Sequence, residues 1–365
     1  MLLVYRDHLG ASTSTLEAIF GLYALGLVPG LLLAGPLSDR FGRRPVVVPA
    51  AAISVLASLV LMWGGAGTLP LFVGRFLAGI ASGAAFSAGT AWLRETSQPP
   101  FGTASPHDVA RRAAIAMTAG FGLGPLVAAA LAQWAPSPTA LPYLPHVLAM
   151  AAVLAWLPRV PETAPAATGR LRLRMRGAGI ARFRRVVAPM APWVFAAPAI
   201  AFALLPAVVG ADHLRLGIAV GGAITSITAF SGVLVQPAAR RIERHRPGRT
   251  AVFGLGVMTA GLALGAVTAA ADQPWLLLPS AVVLGSAYGV CLVAGLADVQ
   301  QLASPGELAG LTAVYYAITY LGFAAPTVLA FAASWASYAA LLALTAALAL
   351  LTAGAVGRAS AQLPR

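Results

Sequence analysis

The chain has 365 residues, of which 59% are hydrophobic and 10% charged, and its mean hydropathy is +0.82. Soluble globular chains carry about 25% charged residues, so this composition excludes a water-soluble shell and points to a polytopic membrane protein. The formal net charge of +13 rests on 24 arginines and no lysine. With long apolar segments between the arginine clusters, that charge reads as membrane topology and not as nucleic-acid binding. The single cysteine, Cys291, excludes an internal disulfide and a cysteine metal site, and no metal or other cofactor is expected.

A spanning helix needs about 20 mostly apolar residues. In chain order such runs cover 15–37, 46–66, 69–93, 110–134, 141–158, 187–210, 216–238, 250–271, 274–298, 305–333 and 336–356, which makes the expected fold class an all-α polytopic membrane protein. Several starts carry capping signals. Ser14-Thr15-Leu16-Glu17 and Ser304-Pro305-Gly306-Glu307 fit the S-x-x-E capping box, and Ser105-Pro106-His107-Asp108 is a weaker version that starts the fourth span ahead of its apolar run.

The arginines test the threading. Alternate loops hold Arg40, Arg43 and Arg44, then Arg94, Arg111 and Arg112, then the run between 159 and 185, then that between 240 and 249, and finally Arg358 and Arg365. The opposite loops hold only Arg6 and Arg215, and Arg75 lies within a span. The positive-inside rule therefore places the arginine-rich face and the C-terminus in the cytosol.

Internal repetition divides the chain. Pro36 in Gly35-Pro36-Leu37-Ser38-Asp39-Arg40-Phe41-Gly42-Arg43-Arg44-Pro45 is echoed by Pro237 in a degenerate arginine-rich segment ending at Arg246. Pro125 in Gly120-Phe121-Gly122-Leu123-Gly124-Pro125 is echoed at the same offset by Pro326, and Asp7-His8-Leu9 recurs as Asp212-His213-Leu214. Two halves follow, 1–158 and 187–365, joined by a basic linker over 159–186. Projecting the span 187–210 back by the same offset places its partner across the start of the chain, so the expectation is a chain that begins inside its own first helix.

These residues resemble the major facilitator superfamily, twelve-helix carriers with two six-helix halves. Gly35-x-x-x-Asp39-Arg40-x-Gly42-Arg43-Arg44 fits the family motif between helices 2 and 3. Arg75-x-x-x-Gly79-x-x-x-Gly83 resembles the helix 4 motif, and Pro161-Glu162-Thr163 the segment after helix 6. Gly120-x-x-x-Gly124-Pro125-x-x-Ala128-Ala129 is similar to the helix 5 motif of proton-coupled drug exporters, with alanines replacing its final glycine pair. The resemblance covers the chain except most of helix 1, so the visible spans are helices 2 to 12, eleven of an expected twelve. It implies a multi-pass protein of the bacterial inner membrane, with a small-molecule substrate, protons and membrane lipid as partners and a monomer as the working unit.

Each constellation carries a physical expectation. The loop of Asp39, Arg40, Gly42, Arg43 and Arg44, with Glu95 closing helix 4, is read as a conformational gate: Arg43 pairs with Glu95, and Asp39 meets the start of helix 11 near Ser304. Arg75, Gly79, Ser82, Phe86 and Thr90 share one face of helix 4, with Arg75 either in a cavity or anchored at the outer headgroups. Gly120, Gly124 and Ala128 form a small-residue stripe for close helix contact, and Pro125 and Pro326 are expected to bend helices 5 and 11. Glu17 is assigned to its capping box instead of proton coupling, and Asp298, Glu95, His146 and His213 to interfacial positions. The arginine alternation over 170–176 is read as a basic loop on anionic lipid.

The second half supplies hydroxyls and rings: Thr225, Ser226, Thr228 and Ser231 on helix 8, Ser286 and Tyr288 on helix 10, and Tyr315, Tyr316, Thr319 and Tyr320 on helix 11. Of these, Thr228, Tyr288, Tyr316 and Tyr320 form with Arg75, Ser82 and Phe86 the candidate substrate or proton path, and the supply of hydroxyls and rings suits an amphipathic or apolar compound. The functional expectation is a secondary active transporter working by alternating access, exporting small amphipathic molecules against protons. Rival readings are a carrier taking up another solute and a non-transporting remnant. A polytopic membrane transferase would need paired acids, and no D-D-x-x-D cluster is present.

Overall fold

The computed structural model of the chain describes residues 2–164, 179–210, 216–246, 248–303 and 308–363. The described residues form helices α1 (Leu2–Leu9), α2 (Thr13–Phe41), α3 (Arg44–Ala66), α4 (Thr68–Ser97), α5 (Pro106–Trp134), α6 (Leu141–Arg159), α7 (Phe183–Val208), α8 (Gly217–His245), α9 (Arg249–Ala271), α10 (Pro274–Leu302), α11 (Gly310–Ala332) and α12 (Tyr338–Gln362). Among the described residues, ten of these are long and apolar enough to cross a membrane, and α5 contributes a shorter apolar stretch, Ala119–Trp134. The span 305–333 expected to start at Ser304-Pro305-Gly306-Glu307 begins with residues outside those described.

Local chemistry sets the ends. Ser105 Oγ accepts the Asp108 N–H, so α5 starts at Pro106, ahead of its apolar stretch as its sequence suggests. The start of α2 differs from expectation: the cap is Ser12, whose Oγ accepts the Thr15 N–H, and not Ser14. Gly42 closes α2 at φ 101, a conformation that penalises any side chain, and its N–H returns to the Ser38 carbonyl. α4 contains a π-helical turn at Ala85–Gly89, and α7 contains one at each of Phe183–Val187 and Ile200–Leu204. α11 is interrupted by a 3-10 turn at Gly322–Ala324 and resumes with Pro326 in its first turn.

Packing is densest where side chains vanish. A methyl group at Gly26, Gly30, Gly79 or Gly83 would collide with backbone of the facing helix, so α2 and α4 touch main chain to main chain. α9 packs along α10 and α12, and α8 lies along α10. Ile200, Leu204, Met258, Leu262, Leu284 and Leu342 form the largest buried cluster of α7 to α12. The first six helices meet the last six along two seams, α2 against α11 and α5 against α8. The second seam does not use the predicted stripe: Gly120 and Gly124 have nothing within 4 Å of a Cβ position. Gly122 faces the Phe230 ring instead, and Gly222 faces Ala129. α5 also runs uninterrupted through Pro125.

Candidate functional site

Two sites contain most of the predicted residues. The first is a charged knot at the arginine-rich ends of α2, α3 and α4. Arg43 Nη2 donates to Glu95 Oε1 at 2.7 Å and Arg43 Nε donates to Glu95 Oε2 at 3.0 Å, a two-pronged pair that fits a planar guanidinium to a carboxylate. The same guanidinium reaches Asp39 at 2.5 Å and donates to Ser38 Oγ at 2.6 Å. Burial alone would lower the Arg43 pKa, but its hydrogen bonds to the Glu95 and Asp39 carboxylates outweigh that and raise the value.

Glu162 supplies the element that sequence reading treated as a supporting match only. Its carboxylate accepts the N–H of Arg43 at 2.8 Å and of Arg44 at 2.9 Å, capping the start of α3 with a negative charge. Thr163 Oγ1 donates to Glu95 Oε2, Arg44 Nη2 to the Val160 carbonyl, and Trp92 Nε1 to the Pro161 carbonyl. The segment after α6 is thereby tied to the knot. Arg40 lies over the Phe41 ring at 5.1 Å, outside the ion pairs, and Gly35 makes room for Ser87. Asp39 is 66% exposed at its side chain; its expected partner at Ser304–Glu307 lies outside the described residues.

The second site is a run of three adjoining cavities between the two groups of six helices. The largest, about 590 Å³, is bordered by Phe86, Thr90, Arg94, Phe121, Tyr316 and Tyr320. A cavity of about 300 Å³ shares Phe121, Phe195, Tyr288 and Tyr316 with it and reaches Thr225. A third, about 310 Å³, shares Pro125, Phe202 and Thr225 with the second and is bordered by Arg75. Its walls place Arg75 in a cavity, with the guanidinium 5.5 Å from the Phe20 ring and 5.3 Å from that of Tyr23. The rings stack: Phe195 lies 4.4 Å from Tyr320, and Phe86 lies 6.4 Å from both Phe121 and Tyr320.

Several expectations need correction. Thr228 is buried and its hydroxyl donates to the Ile224 carbonyl at 2.7 Å, so it borders none of the three cavities; Thr225 takes that place. Ser82 is half-buried beside the Tyr23 hydroxyl. Tyr315 and Thr319 are buried outside the cavities. Glu17 is not a capping residue: it is 1% exposed, its carbonyl accepts from Thr327 of α11, and its Oε2 has no hydrogen-bond partner among the described residues. Asp298 is not interfacial but buried against Arg182. His146 is exposed and meets Ser58 Oγ at 2.8 Å, and His213 lies outside the described residues. Phe195, Phe202 and Phe323 were not singled out, because a phenylalanine in an apolar helix carries no sign of facing a cavity.

An all-helical membrane protein with a ring-lined cavity between two six-helix groups has the architecture of a membrane transporter. Residues 1–327 match the Major Facilitator Superfamily. The chain belongs to that superfamily. It is 39% identical over 90 residues to the multidrug resistance protein MdtL of Klebsiella pneumoniae subsp. pneumoniae, a match that covers 25% of this chain and 23% of that relative. Two solved structures share the fold. A POT family transporter in complex with 5-aminolevulinic acid has TM-score 0.80 at 12% identity, covering 100% of this chain and 92% of that one. The nucleoside transporter NupG has TM-score 0.73 at 13% identity, covering 98% and 93%.

Proposed function

We propose that the protein is a secondary active transporter that exports small amphipathic molecules in exchange for protons by alternating access. The observation that carries this reading is the run of cavities between the two groups of helices, walled by aromatic rings with scattered hydroxyls. Rings and hydroxyls bind flat amphiphiles by stacking and a few hydrogen bonds without demanding one fixed shape. The partial likeness to MdtL supports export of that class. Glu17, buried where α2 meets α11, is a carboxyl on which a proton can travel.

In this reading, residues 1–158 and 187–365 rock against each other, with the basic linker and the C-terminus on the cytosolic side of a bacterial inner membrane. The gate is the knot of Asp39, Arg43, Glu95 and Glu162, with Gly35, Arg40, Gly42 and Arg44 shaping its loop. The ion pairs of the described residues there lie within the first group of helices, so the state-dependent part of the gate would be the contact expected between Asp39 and the start of helix 11. The chain works as a monomer.

The test is expression of the full chain in a host stripped of its own exporters. Raised tolerance to amphipathic antibiotics, abolished by dissipating the proton gradient, supports the reading. Unchanged tolerance across a broad panel together with faster uptake of a sugar or nucleoside would overturn it. Orientation is checked by labelling Phe101→Cys from the cytosol and Gln273→Cys from outside; the reverse pattern refutes the threading.

A further inference from the structure

α4 lays Arg75, Ser82, Phe86, Thr90 and Arg94 along one face. Arg75 borders the cavity at one end of the run, and Phe86, Thr90 and Arg94 border the cavity at the other. At a rise of about 1.5 Å per residue the two arginines stand about 28 Å apart along the helix. No aspartate or glutamate among the described residues borders any of the three cavities. Among the described residues, neither Arg75 nor Arg94 is within ion-pair distance of a carboxylate.

Arg75 is the more informative of the two. A guanidinium inside a spanning helix is costly unless something balances it, and its place in a structure usually marks a substrate or ion path. The Phe20 and Tyr23 rings take its charge on their faces. A ring face is a weak acceptor for the N–H donors that fan out in the guanidinium plane, whereas a carboxylate or phosphate takes two of them in a two-pronged bond. Glu17 attracts Arg75 through space, but it does not border the cavities and forms no ion pair with it.

We propose that Arg75 is the anion subsite of the cavity at its end of the run, and that the transported class is an aromatic amphiphile carrying one anionic group. The proposal rests on the transport reading above and narrows it. The ring system of such a molecule stacks against Phe20 or Phe202, which border the same cavity as Arg75, and the run of cavities carries a guanidinium at each end. An aromatic cation meets two like charges there and, among the described residues, no counter-charge, so the run of cavities selects against it.

The experiment uses the full chain, purified and reconstituted in lipid vesicles, with three probes of one shape and different charge: naphthoate, naphthalenemethanol and naphthylmethylammonium. Binding and flux are measured at neutral pH. Naphthoate is expected to bind at least tenfold more tightly than the ammonium compound. Arg75→Gln should weaken naphthoate about tenfold and leave the alcohol unchanged, and Arg75→Lys should restore part of the loss. Arg94→Gln should slow naphthoate entry more than it changes saturation. Equal or better binding of the ammonium compound overturns the assignment, as does an Arg75→Gln loss that is the same for all three probes. If the alcohol and the ammonium compound are carried and naphthoate is not, the transport reading stands and the anion subsite falls. If none binds or is carried, both fall.

Discussion

Arg182, just ahead of α7, donates from Nε to Asp298 near the end of α10 at 3.0 Å, with both side chains almost wholly buried. Arg182 Nη1 also reaches the Leu363 carbonyl after α12, so one guanidinium holds the ends of three helices. Removing one member of such a pair strands the other as a buried charge. Asp298→Asn or Arg182→Met should therefore cost about 3 kcal/mol or more in unfolding stability. The double replacement by apolar residues of similar volume should recover most of that loss. Thermal unfolding of the purified protein measures both, and a double variant as weak as the worse single one argues against the pair.

The two-pronged Arg43–Glu95 contact is more exposed, so its coupling should be smaller, about 1 kcal/mol. Exchanging the charges, Arg43→Glu with Glu95→Arg, should restore part of what each single change loses in transport rate. Additive losses in that double-mutant cycle would show that the pair carries no coupling.

Glu162 gives the knot a pH dependence. Burial pushes its carboxyl up, but the N–H groups of Arg43, Arg44, Ala164 and Thr163 outweigh that and hold it below the usual carboxylate range. A depressed folded value means the stabilisation is fully present above the ordinary glutamate pKa of about 4.3, and is lost as pH falls through the folded value. The stability gap between the protein and Glu162→Gln should be constant from neutral pH down to that point, then close. A gap that persists in stronger acid would mean that the charge is not what holds the turn.

Glycines of equal appearance should respond in opposite ways. Gly79→Ala pushes a methyl into the Tyr23 carbonyl and should cost about 1–3 kcal/mol through overpacking. Gly124→Ala meets open space and should leave stability unchanged or slightly raised. Thermal shifts for the two variants compare them directly, and equal shifts would contradict the packing described.

The helices and their order were legible because an apolar run of spanning length leaves little alternative. The Ser105 cap was legible because the serine lies next to the helix it starts. The Glu17 assignment failed for a related reason: Ser12 and Ser14 stand equally near the same helix, and nothing local shows that α11 covers Glu17. Thr225 and Thr228 differ only in which side of α8 they occupy, and the uncharged stretch around them, with hydroxyls at 225, 226, 228 and 231, does not mark the side that faces the cavity. Asp298 near a helix end looked interfacial because its partner, Arg182, comes from a basic segment that resembles a solvated loop. Gly122 and Gly222 carry the α5–α8 contact while Gly120 and Gly124 do not, since spacing marks a stripe without saying which neighbour it faces.

The glycine contact between α2 and α4 has a mechanical consequence. Two main chains locked glycine to carbonyl resist sliding past one another, so in the rocking proposed above α2 and α4 would move as a single strut. Bending has to occur where the hydrogen-bond ladder is already irregular, at Ala85–Gly89 beyond the contact and at Gly322–Ala324 on the facing helix. A covalent tether between α2 and α4 should therefore add nothing the glycines do not already impose, whereas one that stiffens either irregular turn should slow the proposed rocking.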